Sequence, residues 1–419
     1  MIRRRLSLRF VLATAIAAAV ALTGCGALLD VKDIYFDPNA GTANGPDGGT
    51  LDGPATGEGA APDSGTDSPS TCFAALMTDA KNCGRCGHDC FQGACTAGTC
   101  QAAELGAIPN APLFHIAISD QYVFASTRIT LTTQTGGLWR TPKAGGSPEL
   151  YADLRYAEEM TVVGDTLYFV VDDSPQSGGM GQTGGLYSCP VTGKAPCAPK
   201  LIASATDPSA ITVDQGKIYY NDNDTGRGLM VYAPPATPTV FRPDFGFGGN
   251  YVVDGNEAFY SVTIQPSSPP NIAKVFQILD DGGVDEKYQY SSDTAFDVHL
   301  IGRPGALLFT AYDFSGTTSG VVRRIVRDGG APCSYGASGN KRPYGIHADG
   351  KRVYWVNQGD GMDEPYMNGS VASCDETTCC AVPDVHWTGN GQPVVIDGDA
   401  DALYFVTYQT GVVWKLAKP

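Results

Sequence analysis

Charged residues are scarce in this sequence, and positive charges are scarcer than negative ones. Charged side chains make up 17% of the 419 residues, and 28 lysines and arginines stand against 44 acids, for a formal net charge of −16. Because so acidic a chain repels a phosphate backbone, nucleic acid is excluded as a partner. The low charge, with 52 glycines and 28 prolines, disfavours long solvent-facing helices and favours short strands joined by tight turns.

Sequence motifs of several common chemistries are also missing. There is no Gly-x-Ser-x-Gly nucleophile elbow, no phosphate-binding loop and no dinucleotide fingerprint. The apolar run from Phe10 to Leu22 has about thirteen residues and is too short to span a bilayer as a helix. We therefore assign no catalytic residue from the sequence.

The first 24 residues have the pattern of an export signal. They carry four arginines and no acid, and the apolar run follows all four arginines. The run ends in Leu-Thr-Gly-Cys, which resembles the lipobox of bacterial lipoproteins, and the resemblance implies that Cys25 is lipidated as the new N-terminus.

Loss of the signal makes the chain still more acidic. Removing residues 1–24 takes away four positive charges and shifts the net charge from −16 to −20. We therefore expect acyl chains on Cys25, and not surface charge, to hold the protein on a membrane. The expected location is the bacterial cell envelope, at the outer membrane or the cell surface.

A flexible tether is predicted over residues 25–71. From Pro38 to Thr71 the chain is almost wholly small or polar, with no lysine or arginine, and Leu51 is its one sizeable apolar residue. Such a segment buries too little apolar surface to fold. Its random-coil reach of roughly 35 to 40 Å holds a globular body clear of the headgroups.

Residues 72–100 form a cysteine-rich module. Because an exported protein meets an oxidising compartment, its six glycine-spaced cysteines are expected to form three disulfides. A zinc site on Cys83, Cys86 and Cys90 with His88 is the alternative. The stretch resembles the stigma-specific cysteine-rich family, whose signature also runs Asn-Cys-Gly-x-Cys-Gly, and the resemblance suggests lipid or cell-surface binding. The six cysteines are Cys72, Cys83, Cys86, Cys90, Cys95 and Cys100.

Six further cysteines lie in the body of the chain. Cys189 and Cys197 bracket one predicted turn, which predicts that they pair. An even number of cysteines follows Cys25, as full pairing requires. Cys374 with Cys379 or Cys380 brackets another turn, and one plausible set of the remaining pairs is Cys374 with Cys379 and Cys333 with Cys380.

A repeated unit fills the chain from about residue 110 to the end. Each copy has a second strand marked by an apolar and aromatic triplet, and the triplets recur every 40 to 51 residues, which is typical of a four-stranded propeller blade. The sequence therefore predicts an all-β fold, a seven-bladed β-propeller over residues 101–419, with six blades as the alternative. The triplets end at Phe124, Phe169, Tyr220, Tyr260, Phe309, Trp355 and Phe405.

Turn residues recur in phase with these triplets. An aspartate or glycine turn precedes almost every triplet, as a hairpin between the first and second strands requires. In six of the seven copies a glycine opens the third strand, and the fourth copy has Ala273 instead. The turn aspartates are Asp120, Asp165, Asp214, Asp254, Asp349 and Asp397, and the glycines are Gly137, Gly185, Gly228, Gly320, Gly369 and Gly411.

The last copy lacks its outer strand, since the chain ends at Pro419 after a third strand. We expect residues 101–108 to pair with residues 411–416 and so close the ring, which removes an exposed sheet edge. The cysteine-rich module would then sit at the rim where the ring closes.

The repeat resembles propellers with Tyr-Trp-Thr-Asp-like or TolB-like blades. The likeness is best from Val353 to Asn357 and weaker from Tyr219 to Asp222. Members commonly have six blades. The resemblance implies a platform that binds a protein or another ligand, although a fold alone does not settle function.

Two sets of polar residues are candidates for a site in the ring. His115, His299 and His347 fall on predicted first strands, which line a propeller's channel, so they are candidates for convergence there. Two acidic loops are candidates for Ca²⁺, the one cofactor considered, although neither has the EF-hand spacing. These loops contain Asp222, Asn223 and Asp224, and Asp397, Asp399 and Asp401.

Three functions fit this architecture. The first is a non-enzymatic binding or scaffold module for a protein or glycan, anchored to the membrane through its N-terminal lipid. The second is an accessory subunit of envelope assembly, against which the long tether argues. The third is a propeller enzyme of the lyase or quinoprotein type, which requires a polar cluster with a metal or cofactor in the channel. We favour the first.

Overall fold

The computed structural model describes the chain mainly from residue 75 onward. The predicted signal peptide, Cys25, Cys72 and the tether apart from residues 33–35 lie outside the described residues. No helix in the described part of the chain is long and apolar enough to cross a membrane. The described ranges are 33–35, 75–109, 112–127, 136–154, 157–172, 183–223, 227–243, 250–264, 270–280, 283–292, 295–313, 320–336, 340–360 and 367–419.

Four short strands precede the repeated sheets. Strands β2 and β3 pair with each other inside the cysteine-rich module, and β4 follows the module. These strands are β1 (Asp33–Tyr35), β2 (Cys95–Thr96), β3 (Thr99–Cys100) and β4 (Ala103–Ala107).

The rest of the chain forms seven antiparallel blades of four strands each. Blade 1 comprises β5 (Leu113–Ile118), β6 (Tyr122–Thr127), β7 (Gly137–Pro142) and β8 (Glu149–Ala152); blade 2 comprises β9 (Ala157–Val163), β10 (Thr166–Val171), β11 (Gly185–Pro190) and β12 (Lys200–Ser204). Blade 3 comprises β13 (Ile211–Asp214), β14 (Lys217–Asp222), β15 (Gly228–Tyr232) and β16 (Thr239–Arg242); blade 4 comprises β17 (Asn250–Asp254), β18 (Glu257–Ile264), β19 (Asn271–Ile278) and β20 (Val284–Ser292).

The last three blades repeat this plan. In blade 5 the inner strand also pairs, in parallel, with β1. Blade 5 comprises β21 (Ala295–Arg303), β22 (Ala306–Asp313), β23 (Gly320–Val326) and β24 (Cys333–Tyr335); blade 6 comprises β25 (Pro343–Ala348), β26 (Arg352–Asn357), β27 (Gly369–Asp375) and β28 (Asp384–Gly389); blade 7 comprises β29 (Pro393–Gly398), β30 (Ala402–Thr407), β31 (Val412–Ala417) and β4.

The blades form a closed ring, as predicted. Their inner strands neighbour one another in chain order, and β29 of blade 7 neighbours β5 of blade 1. Strand β4 supplies the outer strand of blade 7, with Ala107 opposite Val412 and Ala103 opposite Lys415. The predicted count of seven blades and the predicted closure by residues 101–108 are both confirmed.

The second strand of each blade carries the core. Because a blade packs between two neighbours, both faces of this strand are buried, and its sequence is a continuous apolar run. In blade 7, Leu403, Tyr404 and Phe405 are each exposed by 1% or less. The prediction that the repeated aromatics are core residues is therefore confirmed.

The glycines that open the third strands make room for the next blade. A β-carbon on Gly320 would lie 2.2 Å from Cδ of Pro343, and one on Gly369 would lie 2.5 Å from Cδ of Pro393. Each proline begins the inner strand of the following blade. Only glycine therefore lets these neighbouring blades approach so closely.

Ion pairs fasten several blades to the next one. In three places, an aspartate at the hairpin between first and second strands pairs with the cation that follows the third strand of the next blade. The same cation lies over the central aromatic ring of the aspartate's own blade. We call each set an inter-blade staple. The aspartate–cation distances are 2.5 Å for Asp254–Arg327, 3.1 Å for Asp349–Lys418 and 2.8 Å for Asp399–Lys143, and the rings beneath are Phe259, Tyr354 and Tyr404.

Between blades 5 and 6 a similar ion pair is present, but the cation is at the hairpin and the carboxylate follows the third strand. Arg303 occupies the hairpin and Glu376 follows the third strand, with 3.0 Å between Arg303 Nε and Glu376 Oε1. A cation–carboxylate contact at this position is therefore a repeated feature of the ring.

Candidate ligand-binding cleft

The cysteine-rich module is held by disulfides. Cys83 pairs with Cys95 and Cys90 with Cys100, and Cys86 is disulfide-bonded as well. The zinc alternative is therefore wrong for this module, because a disulfide sulfur is not the thiolate that zinc requires. Cys83, Cys90 and Cys100 lie close together, but all three are oxidised.

The module docks across the seam where the ring closes, as predicted. One ring nitrogen of His88 lies 2.7 Å from the carbonyl oxygen of Cys83, and the other lies 2.9 Å from that of Lys418 in blade 7. On the blade 1 side, Gln92 Nε2 donates to the carbonyl of Ala144 at 2.6 Å. Ala417 of blade 7 shares a small core with the module's cysteines.

The disulfides of the propeller correct part of the sequence prediction. Cys189 pairs with Cys197, as predicted. The set of Cys374 with Cys379 and Cys333 with Cys380 is wrong, and the alternative partner of Cys374, Cys380, is the one observed. The structure pairs Cys333 with Cys379 and Cys374 with Cys380.

The geometry of blades 5 and 6 explains this exchange. Cys379 has a left-handed backbone with φ of 45°, which turns it away from its neighbour Cys380. Cys379 reaches Cys333 on the outer strand of blade 5 and Cys380 reaches Cys374, and both Cys379 and Cys380 lie against the core around Trp355. Adjacent cysteines have no sequence signal that distinguishes their partners.

The three channel histidines do not converge. Across their hairpins His115 lies opposite Ser126, His299 opposite Thr310 and His347 opposite Tyr354. These three partners lie at different positions along the second strand relative to the last residue of the blade's triplet. The histidines therefore lie at different heights along the channel.

Each histidine has its own neighbour. His115 Nε2 is 3.9 Å from Glu158 Oε2, and His347 Nδ1 is 3.2 Å from Asp397 Oδ1. The His299 ring meets the Tyr344 ring edge-on at 5.6 Å. Within the described ranges, the one group of three potential metal ligands is the oxidised cysteine trio of the module.

The two candidate calcium loops are held by protein contacts. Asp222 accepts from the Thr206 backbone N–H at 2.9 Å and pairs with Arg227 at 2.9 Å, while Asp224 lies outside the described residues. In the second loop, Asp399 belongs to an inter-blade staple, and its neighbour Asp401 is exposed. These acids therefore serve turns and blade contacts.

A cleft of about 920 Å³ opens between the module and the seam. Phe91 and Gln92 of the module form one wall, and the hairpins of blades 1 and 7 form the other. Phe91 and Gln92 both have left-handed backbones, with φ of 52° and 116°. Backbone strain of this kind is concentrated at functional sites, where surrounding contacts hold it. The lining also includes Tyr122, Lys143, Asp399, Tyr404 and Lys415.

The floor of the cleft is the staple between blades 7 and 1. Asp399 Oδ2 lies 2.8 Å from Lys143 Nζ and accepts the Tyr404 hydroxyl at 3.0 Å. Burial alone would raise the pKa of Asp399, but the hydrogen bond and charge of Lys143 outweigh it and hold the pKa at about 2. Burial raises the pKa of Tyr404, so its hydroxyl stays protonated and keeps donating. This part of the cleft is rigid and internally neutralised.

Lys415 is another cation in the cleft and is not part of that staple. Its Nζ lies 4.3 Å from the centroid of the Phe91 ring and 5.8 Å from that of Tyr404. It forms no ion pair with a carboxylate of the described residues. Burial lowers the pKa of Lys415, although nearby aspartates favour its charged form.

Sequence reasoning missed this cleft for a physical reason. Lys415 lies opposite Tyr404 on the third strand of blade 7, and the matching position in blade 6 is Ser373, opposite Tyr354. A lysine in place of this serine is a weak signal, because blade 5 also has a cation at this position, Arg324 opposite Leu308. The opposite wall comes from the module, whose docking the repeat does not encode.

A smaller cavity of about 340 Å³ lies on another side of the module, against the outer strand of blade 6. His386 lines it, and its Nε2 is 2.6 Å from the Ser373 hydroxyl, which also accepts from Arg352 Nε at 2.9 Å. Burial, helped by the charge of Arg352, lowers the pKa of His386 to about 4. Ser373 is fully buried, so this chain of hydrogen bonds braces the blade.

No protein-family model matches this chain, and no curated protein matches it. Solved structures with a similar fold include a catalytically inactive virginiamycin B lyase from Staphylococcus aureus, at 15% identity and a TM-score of 0.49, with 76% of this chain and 99% of that chain covered. BamB from Moraxella catarrhalis has 13% identity and a TM-score of 0.37, with 76% and 91% covered. A putative TolB from Agrobacterium tumefaciens has 13% identity and a TM-score of 0.39, with 61% and 87% covered. The propeller assignment rests on the chain's own sheet topology, and no function is carried over.

Proposed function

We propose that the chain is an exported, lipid-anchored protein of the bacterial envelope that binds a glycan without transforming it. The cleft between the cysteine-rich module and blades 1 and 7 would hold the glycan. Lipidation of Cys25 and the tether over residues 25–71 would present the ring beyond the headgroups.

The shape of the cleft is the observation that carries this proposal. A concave site of about 920 Å³ falls in the range of sites for small ligands, whereas stable protein partners bury broad surfaces of about 1,600 Å² in total. Its lining offers aromatic rings beside amide and carboxylate groups, namely Phe91, Tyr122, Gln92, Gln121 and Asp120. Rings and hydrogen-bonding side chains side by side suit the apolar faces and hydroxyls of a sugar.

A glycan array probed with the mature protein carrying Cys25→Ala tests the proposal. Binding by Ala144→Trp, which fills the cleft from an exposed position, should fall at least tenfold. Ala331→Trp, at an exposed position on blade 5, is the matched control and should bind like the parent. Failure of every glycan, or equal binding by both tryptophan variants, would contradict the proposal.

A protein partner would leave a different result. In-cell cross-linking of the lipidated protein, with the Cys25→Ala form as control, would then give reproducible links from one face of the ring to one protein. That outcome, without glycan binding, would favour the scaffold or envelope-assembly alternative.

A further inference from the structure

We infer that the glycan carries a carboxylate and that Lys415 is the residue that binds it. This inference rests on the proposed function, because it names the class of sugar that the cleft would take. It goes further in assigning one chemical group of the ligand to one side chain.

Two of the carboxylates near Lys415 are already paired with other cations. Asp399 is shared by Lys143 and Tyr404, and Asp89 lies 2.5 Å from Lys81. Lys415 itself has only the Lys143 carbonyl oxygen, at 3.5 Å, and two aromatic rings. Its ammonium is the one in the cleft without a carboxylate partner among the described residues.

A partly buried ammonium without a carboxylate partner is stabilised when it binds an anion. Partial burial removes water from the ammonium, and the ring contacts restore only part of the lost stabilisation. A carboxylate from a ligand would complete it with a charge-assisted hydrogen bond. The remaining free acids, Asp120 and Asp401, are exposed, so they stay solvated and suit sugar hydroxyls as partners.

The fold does not require a lysine at the position of Lys415 in the repeat. In blades 6 and 2 the matching residues, opposite Tyr354 and Tyr168, are Ser373 and Ser188. The ring therefore folds with a small neutral residue at this position. Blade 5 also has a cation here, Arg324 opposite Leu308, but of the two blades with a cation it is blade 7 that lines the cleft.

The test pairs acidic oligosaccharides with their carboxyl-reduced counterparts. Tetramers of galacturonate, glucuronate, mannuronate and sialic acid, and each reduced form, are titrated calorimetrically into the mature protein with Cys25→Ala. We expect at least one acidic tetramer to bind at least tenfold more tightly than its reduced form. Lys415→Ser should abolish that preference, and Lys415→Arg should keep it.

The matched control is Lys274→Ser on blade 4. Lys274 also lies over an aromatic ring, Phe276 at 5.7 Å, but it pairs with Glu286 and is far from the cleft in the repeat. This variant should retain the preference in full. Unchanged melting temperatures for the Lys415 variants would show that the ring is intact.

Each other outcome has a definite meaning. Equal binding of acidic and reduced tetramers would overturn the carboxylate inference and leave the glycan proposal standing. A preference that survives Lys415→Ser would overturn the role of Lys415. Absence of binding to every saccharide would overturn both.

Discussion

Tyr404 shows how one residue serves both the core and the surface of this ring. It is 99% buried in blade 7, yet its hydroxyl donates to Asp399 and two lysines lie over its ring. From the sequence, the turn aspartates were assigned to hairpin formation. The structure adds a second role for Asp254 and Asp349, because each also binds a cation of the next blade.

Removing one staple should destabilise the ring measurably. Arg327→Met loses the ion pair to Asp254 and the contact over Phe259, and we expect a loss of about 1–2 kcal/mol in the free energy of unfolding. Lys287→Met removes an exposed pair with Asp285 and should change little. Urea unfolding of both variants measures this, and equal effects would argue against the staple.

His386, a half-buried histidine on the outer strand of blade 6, predicts an acid-sensitive ring. Since burial lowers the pKa of His386 from 6.5 to about 4, the unfolded chain binds a proton between these pH values that the folded chain does not. Stability should therefore fall as pH drops from 6.5 to 4, by an amount on the order of 2 kcal/mol, and then level off for this group.

The variant His386→Gln isolates this effect, because its amide can still accept from Ser373 but does not titrate. Urea midpoints at pH 7, 5.5 and 4.5 should decline less steeply than in the parent. Parallel pH profiles for the two proteins would show that His386 is not the titrating group.

Strand β4 is the element on which ring closure depends. Leu105 at its centre is 97% buried, and its neighbours lie opposite Val413 and Trp414 of β31. We expect Leu105→Ala to lower the free energy of unfolding by about 2–4 kcal/mol. Leu201→Ala, at a residue 42% exposed on an outer strand, should cost far less, and thermal unfolding compares the two. Equal costs would mean that β4 contributes no more than an ordinary edge strand.

The elements of the fold were largely predictable because each blade repeats one pattern. The triplet ending at Phe405 and the glycine at Gly369 mark strands whose burial and close approach follow from packing between blades. The pairings of Cys379 and Cys380 were not predictable, since they depend on a left-handed residue that sequence does not mark. The cleft was not predictable either, because Phe91 and Lys415 are 324 positions apart and meet only through docking of the module.

At the scale of the whole molecule, the cysteine-rich module and strand β4 together close the ring. The chain enters blade 7 through β4, and the module that precedes β4 covers the seam with blade 1 through His88 and Gln92. Disulfides stiffen the module, and Cys333–Cys379 joins blades 5 and 6. The ring is thus suited to hold a fixed cleft.

The proposed lipid anchor at Cys25 is tested on the full chain. Cys25→Ala should move the protein from the membrane fraction to the soluble fraction of the envelope, because one acylated residue supplies all of the predicted anchoring. Fractionation with immunoblotting measures this, and a lipid-modified N-terminal peptide in the parent identifies the chemistry. A variant that stays with the membrane would contradict a lipid anchor at Cys25.

Ligand binding in the cleft is the central claim, and hydrogen–deuterium exchange tests it most directly. The mature protein carrying Cys25→Ala would be compared with and without the glycan that binds it most tightly on the array. We predict slower exchange in residues 89–93, 119–122 and 399–404, which surround the cleft. Protection confined to segments on other blades, with these three unchanged, would contradict the assignment of the site.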